Sequence, residues 1–197
     1  MIDWAVAERP LPGQSCSGDS SVVAPFADGV LVGVVDGLGH GEEASAASYR
    51  AVRTLEHHRD DPVEALMRRC HDALRGTRGA VMSLASLRPA RCTMTWLAVG
   101  NVEAIVVSPE EGAPRVNHVI SRGGIVGYSL PPLMPSAAAL FPEDLLVLAT
   151  DGIRPSFTET FPTEGSPRTI ADGIVRSYAQ ESDDALVLVA RIAGEAA

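Results

Sequence analysis

Four places in the chain carry aspartates at positions where chemistry is possible. Asp19 stands in Ser17-Gly18-Asp19-Ser20, just ahead of an apolar run. Asp36 closes Val34-Val35-Asp36-Gly37, and Asp151 closes Ala149-Thr150-Asp151-Gly152. The pair Asp183-Asp184 opens the last apolar run. Taken singly, Asp-Gly is ordinary turn chemistry. Taken jointly, carboxylates at the mouths of hydrophobic strands converge at one end of a core. Such a cluster repels itself unless it is protonated or holds cations. Carboxylate, carbonyl and water ligands suit hard ions such as Mg²⁺ and Mn²⁺. Two such ions ~3.5–4 Å apart are one solution to phosphoester hydrolysis. Gly37, lacking a side chain, lets its carbonyl turn toward an ion beside the Asp36 carboxylate.

The elements that must position these residues follow from periodicity. Residues 3–8 alternate weakly and read as a first strand. Residues 20–24 and 29–36 read as two strands around a turn at 25–29. The second is apolar on both faces, as a fully covered strand is. Residues 42–58 have helical spacing and two glutamates in the first turn, which suits the helix dipole. Asp60-Asp61-Pro62 is expected to cap a second helix over about 62–75. Residues 80–87, 92–99, 102–108 and 116–121 have strand character, and Gly100-Asn101 between two of them signals a hairpin. Residues 122–136 form a long proline-rich loop. A strand over 144–150, a helix over 167–180 and a strand over 185–192 complete the chain. Antiparallel runs of strands with helices in blocks make a layered α+β domain rather than a strict βαβ alternation.

Length and charge set outer limits. At ~100–200 residues per domain, 197 residues make a single domain over 1–197. The chain has a net charge of −9, contains no Lys, and gathers no cationic cluster larger than Arg68-Arg69. A nucleic-acid partner needs a basic footprint, so none is expected. No apolar run approaches the ~20 residues of a membrane span, and the N-terminus lacks the pattern of a signal peptide. Three cysteines without close pairing fit a reducing, cytoplasmic setting. An acidic surface repels phosphate esters at long range, so phosphate chemistry here needs local positive charge, and a bound metal supplies it.

The ordered motifs carry a family resemblance. Ser-Gly-Asp-Ser, then Val-Val-Asp-Gly-Leu-Gly-His-Gly-Glu-Glu-Ala, then Ala-Thr-Asp-Gly-Ile, then Ser-Asp-Asp-Ala-Leu-Val-Leu-Val resemble the metal-dependent Ser/Thr protein phosphatases of type 2C. The resemblance is to their bacterial SpoIIE-like branch, and it runs from Asp19 to Ile192. It implies a four-layer α-β-β-α sandwich, with two central antiparallel sheets flanked by helix pairs and two Mn²⁺ or Mg²⁺ ions at one edge. Asp36 would bridge the ions, with the Gly37 carbonyl and Asp19 on one side and Asp151 and Asp183 on the other. Asp184 stands beside that last ligand, and either member of the pair could coordinate. The resemblance implies direct attack on phosphorus by a metal-activated water, without a phosphoenzyme. The implied substrate is a phosphorylated protein, a stressosome scaffold or an anti-sigma-factor antagonist. A compact acidic domain of this kind is expected to be a monomer.

Two departures from the wider family matter. Leu38 occupies the place of a general-acid histidine, which leaves His40 as the candidate proton donor. No phosphate-clamping arginine precedes the first motif, Arg9 being the nearest. A catalytically silent partner-binding module on the same fold is the alternative, and a phosphodiesterase or small-molecule phosphatase is a third reading. The complete set of aspartates favours activity. Other tempting residues have simpler explanations. Cys16 is a loop residue without a base at useful spacing. Cys70 and Cys92 fall on apolar faces and are expected in the core. His57-His58 point different ways on a helix end. Gly37-x-Gly39-x-Gly41 lacks the Lys-Ser/Thr of a phosphate-binding loop. The 122–136 loop reads equally as a substrate flap or a plain connector.

Overall fold

The computed structural model describes residues 2–111, 113–160 and 162–193. Eleven strands appear among the described residues: β1 (Ile2–Arg9), β2 (Asp19–Phe26), β3 (Gly29–Gly37), β4 (Ala80–Arg88), β5 (Thr93–Val99), β6 (Glu103–Ser108), β7 (Arg115–His118), β8 (Ser121–Arg122), β9 (Ser136–Ala139), β10 (Leu145–Ala149) and β11 (Ala185–Ile192). The helices are α1 (Glu42–His57), α2 (Val63–Ala73), the single turn α3 (Phe157–Thr160) and α4 (Pro167–Tyr178). One sheet runs in the order β1-β11-β10-β6-β7. The other runs β2-β3-β4-β5-β8, with β9 also pairing with β5. All pairings are antiparallel except the short β5–β8 contact.

The two-residue period of the strands builds the layers. On β3, Val30, Val32 and Val34 face the other sheet, where they meet Leu146 and Leu148 of β10 and Leu186 and Leu188 of β11. Leu31 and Val35 face the opposite way, against Ala47, Ala51 and Leu55 of α1 and Leu66 and Met67 of α2. Val187 and Val189 of β11 pack with Ile170 and Ile174 of α4 and with Phe157 of α3. Strands covered on both faces therefore read as unbroken apolar runs. The result is the expected α-β-β-α sandwich. The helix layers are unequal: α1 and α2 form a true pair, whereas α4 is accompanied only by one turn. Ser166 caps α4 by accepting a hydrogen bond from the Thr169 N–H, and Pro167 occupies its first turn. No helix among the described residues is long and apolar enough to cross a membrane.

Several local expectations are corrected. Gly100-Asn101 is not a hairpin. β5 belongs to one sheet and β6 to the other, so this turn carries the chain across the sandwich. Gly100 has φ +100°, and a Cβ there would lie 2.2 Å from the Val81 side chain, so glycine is required both by conformation and by room. Cys92 is exposed in a left-handed conformation (φ 50°), because β5 begins one residue later. Cys70 is buried as expected. Asp61 does not cap α2; its carboxylate accepts from Arg69 Nε at 2.7 Å. The expected 116–121 strand is split into β7 and β8, and β9 forms at the end of the segment read as a loop.

A test of the crossing turn follows. Gly100→Ala should destabilise the protein by about 2 kcal/mol or more, combining left-handed strain with overpacking. In a chain of this length that is a melting-temperature drop of roughly 4–8 °C. Gly123→Ala, where an added Cβ meets nothing within 4 Å, should stay within about 0.5 kcal/mol. Equal effects of the two substitutions in a thermal melt would contradict this account of the turn.

Candidate metal centre

The inward rows of four strands end in polar residues at the same edge of the sandwich. On β3 the row Val30, Val32, Val34 continues to Asp36. Directly across on β2, Asp19 is its register partner. Beyond β10, the row Leu146, Leu148 continues to Thr150. Before β11, the row Leu188, Leu186 starts from Asp184. These four residues crown the inter-sheet core. Asp151 and Asp183 are their chain neighbours, one step toward solvent. Strand-end aspartates far apart in sequence thus meet because each ends a strand feeding the same core.

Burial and mutual repulsion dominate the electrostatics. Asp19 is only 5% exposed. Burial pushes its carboxyl from 3.8 up to about 7; the Thr150 hydroxyl pulls it down, while the charges of Asp184, Asp151 and Asp183 push it further up. Burial pushes Asp36 up to about 8, and the carboxylates of Asp19, Asp151, Asp183 and Asp184 all add to this. Asp151 is raised mainly by burial, then by Asp183, against a hydrogen bond from Asn101 that lowers it. Among the described residues, no arginine or histidine forms an ion pair with any of these five carboxylates.

Hydrogen bonds assign the members different surroundings. Thr150 Oγ1 donates to Asp19 Oδ2 at 2.8 Å and accepts from the Leu186 N–H at 2.9 Å, so it ties β10, β11 and β2 together. Both Asp184 oxygens accept backbone N–H groups: Oδ1 from Leu11 at 2.7 Å and Oδ2 from Gly18 at 2.8 Å. Asp184, 2% exposed, therefore fastens the 10–18 loop that delivers Asp19. Asp183 is half-buried and, among the described residues, accepts only from the N–H of Asp184, at 2.9 Å. Asp151 accepts from Asn101 Nδ2 at 2.7 Å. Gln180 holds the next turn of backbone, its Nε2 donating to the Asp151 carbonyl and its N–H to the Gly152 carbonyl, both at 2.8 Å. Both Asp-Gly glycines are needed for close approach: a Cβ on Gly37 would lie 2.2 Å from the Ala44 carbonyl oxygen, and one on Gly152 would lie 1.8 Å from that of Asp184.

The site residues named from sequence thus fall into groups. Asp19, Asp36, Asp151, Asp183 and Asp184 are brought to one edge, with Gly37 beside Asp36. Leu38 turns back onto the inter-sheet core. His40 is exposed, and no hydrogen bond or ion pair among the described residues joins it to the carboxylates. Arg9 lies where β1 pairs with Ala185, close in register to Asp184, and its guanidinium donates to the Gln180 carbonyl. Thr150, Asn101 and Gln180 were not singled out as site residues in the sequence. A hydroxyl ending the otherwise apolar run Leu145–Ala149 was the available signal for Thr150. Asn101 and Gln180 sit in turns whose partners are distant in sequence.

The donor set fits divalent cations. Five carboxylates, two of them held far above their ordinary range with no cation at hand, are a site that positive charge would relax. Among the described residues, no three His, Cys, Asp or Glu side chains close on a single point. Ions such as Mg²⁺ take one or two carboxylates and retain several waters rather than filling an all-protein cage. Asp19, Asp36, Asp151 and Asp183, with the Gly37 carbonyl, are the groups available to hold them.

Known proteins share sequence and fold with this chain. The chain is 32% identical over 108 residues to the phosphoserine phosphatase RsbX of Bacillus subtilis (strain 168). That match covers 55% of this chain and 54% of RsbX, so it spans about half the length of the curated relative. A structure from the bacterial stressosome, described as a modular system adapted to control secondary messenger signaling, superposes with a TM-score of 0.88 at 26% identity, covering 97% of this chain and 100% of that one. RsbX in complex with magnesium superposes with a TM-score of 0.86 at 22% identity, covering 98% and 96%. The family profile Stage II sporulation protein E (SpoIIE) matches residues 27–193. By that match over most of its length the chain belongs to the SpoIIE family, and it has the fold of the PP2C phosphatases.

Proposed function

We propose that this chain is a metal-dependent phosphoserine/phosphothreonine protein phosphatase. The observation that carries the reading is the edge itself: five aspartates gathered at one end of the inter-sheet core, without a cationic partner among the described residues. Two divalent ions bound there would neutralise the phosphate and supply an activated water for direct attack on phosphorus. Asp36, the register partner of Asp19 and within reach of the charges of Asp151 and Asp183, would serve both ions. Asp19 is held in orientation by Thr150, and Asp184 anchors the loop behind it. The proposed proton donor to the departing serine oxygen is His40, exposed in the turn after Asp36. The match to RsbX and to the stressosome structure supports a phosphorylated stressosome or anti-sigma-factor antagonist protein as substrate; the proposed setting is the cytoplasm and the proposed state a monomer.

Hydrolysis of p-nitrophenyl phosphate, with and without Mn²⁺, tests the reading. Turnover should require the metal and vanish in excess EDTA. Asp36→Asn should lower it by roughly 100-fold or more, as expected when several kcal/mol of charge stabilisation is lost. His40→Ala should matter little with nitrophenolate, a leaving group that needs no proton, and should slow a phosphoserine peptide. Full activity in EDTA would rule out the mechanism. Mn²⁺ binding without turnover would shift the reading to a silent partner-binding module.

The two adjacent aspartates should separate. Asp183→Asn should weaken Mn²⁺ binding while changing the melting temperature little. Asp184→Asn turns an amide N–H toward one of two backbone donors and should cost about 1–3 kcal/mol of stability. The opposite pattern, in calorimetric titration and thermal melts, would exchange their roles.

The electrostatics predict a pH dependence for the metal-free protein. Asp19 and Asp36 rise from 3.8 to about 7 and about 8 on folding. Between these limits the folded state binds more protons than the unfolded chain, so stability falls as pH rises through that window. The melting temperature in EDTA should therefore drop between about pH 4 and about pH 8, and Asp36→Asn should flatten the drop. Mn²⁺ should stabilise more at the higher pH. A flat wild-type profile in EDTA would contradict the cluster's repulsion.

A further inference from the structure

The turn that carries the chain from one sheet to the other also touches the acidic edge. Asn101 Nδ2 donates to Asp151 Oδ2 at 2.7 Å, across 50 residues of sequence. Both partners are exposed, so water competes for this bond. What favours it is that neither partner has far to move. On one side, Gly100 is wedged against Val81. Its N–H donates to the Arg122 carbonyl at 2.8 Å, and its carbonyl accepts from Ser121 Oγ at 2.6 Å. On the other side, Gln180 fixes the backbone of Asp151 and Gly152 at 2.8 Å each. The pair borders a groove of about 370 Å³ that Ser121, Thr150 and Ile153 also line.

We propose that Asn101 is a positioning residue for the metal centre: its amide occupies one oxygen of Asp151 and leaves the other directed to a cation. This rests on the phosphatase reading above. The chemistry of the residue suits the task. An amide donates without adding positive charge that would compete with a cation, and without adding a sixth negative charge to five that already repel. A partner that fixes a ligating carboxylate typically affects metal affinity by about 10–100-fold. The bond also continues the antiparallel pairing of β6 and β10 to its end: Asn101 precedes β6, Asp151 follows β10, and the register that sets Ala149 opposite Glu103 sets Asp151 opposite Asn101.

The test is a double-mutant cycle read as Mn²⁺ dissociation constants by calorimetry, with thermal melts alongside. Asn101→Ala should weaken one Mn²⁺ site by about tenfold and leave the melting temperature nearly unchanged. Asn101→Gly, which deletes the amide while relaxing the turn, should give the same shift. In an Asp151→Ala background, Asn101→Ala should have no further effect on Mn²⁺ binding. Unchanged affinity in the single variants would overturn the inference while leaving the phosphatase reading intact. So would an equal loss in the Asp151→Ala background. A wild-type protein that binds no Mn²⁺ would overturn both.

Discussion

Two aspartates face each other across neighbouring strands, and much of the molecule is arranged around that conflict. Asp19 and Asp36 are direct register partners on β2 and β3, so their side chains share one face of the sheet. Like charges in such a pair destabilise it even in water. Here the pair caps a dry inter-sheet core, and three more carboxylates stand nearby. Nothing in the apolar packing beneath requires this cost. Val30, Val32 and Val34 would pack as well under a neutral strand end. The conflict is therefore informative about use: it is a local violation of good folding practice of the kind found at functional sites.

The surroundings contain the conflict without cancelling it. The 16 Lys and Arg side chains of the chain are all arginine, and the ion pairs among the described residues go to carboxylates other than these five. Arg88 and Arg91 pair with Asp28, Arg69 with Asp61, and Arg78 with Glu43. Neutral donors serve the carboxylates instead: the Thr150 hydroxyl, the Asn101 amide, and the backbone N–H groups of Leu11 and Gly18. Such donors fix orientation and satisfy some lone pairs while leaving the negative charge in place. A guanidinium in the same position would quench the charge that a divalent cation needs.

The layers and the main strands were legible in the sequence because they depend on local pattern. β3 and β11 are apolar on both faces, and covered strands have that signature. The aspartates at their ends were legible for the same reason, since each terminates an apolar run. What was not legible depends on which distant element a residue meets. Gly100-Asn101 looks the same whether the following strand pairs with the preceding one or crosses to another sheet, because the turn's own residues do not encode the partner. Cys92 belonged to the alternation of a strand that starts only at Thr93, paired with Ala139. Asp183 and Asp184 were indistinguishable side by side. The discriminating fact is the distant 10–18 loop, whose N–H groups occupy both oxygens of Asp184 alone.

The overall charge bears on what the edge can accept. A surface of net charge −9 repels phosphate, but at physiological salt that repulsion fades beyond ~8 Å. A small phosphate ester has little besides its charge with which to offset the approach. A phosphorylated protein brings additional contact area, and docking contacts can offset the repulsion until the phosphate reaches the ions. On the proposed reading, the acidic surface works together with the metal centre. The centre supplies strong attraction over a short distance, and the surface withholds attraction at long range. Selection then falls to partners that bring contact area of their own, and a small phosphate ester, held by its phosphate alone, is bound more weakly.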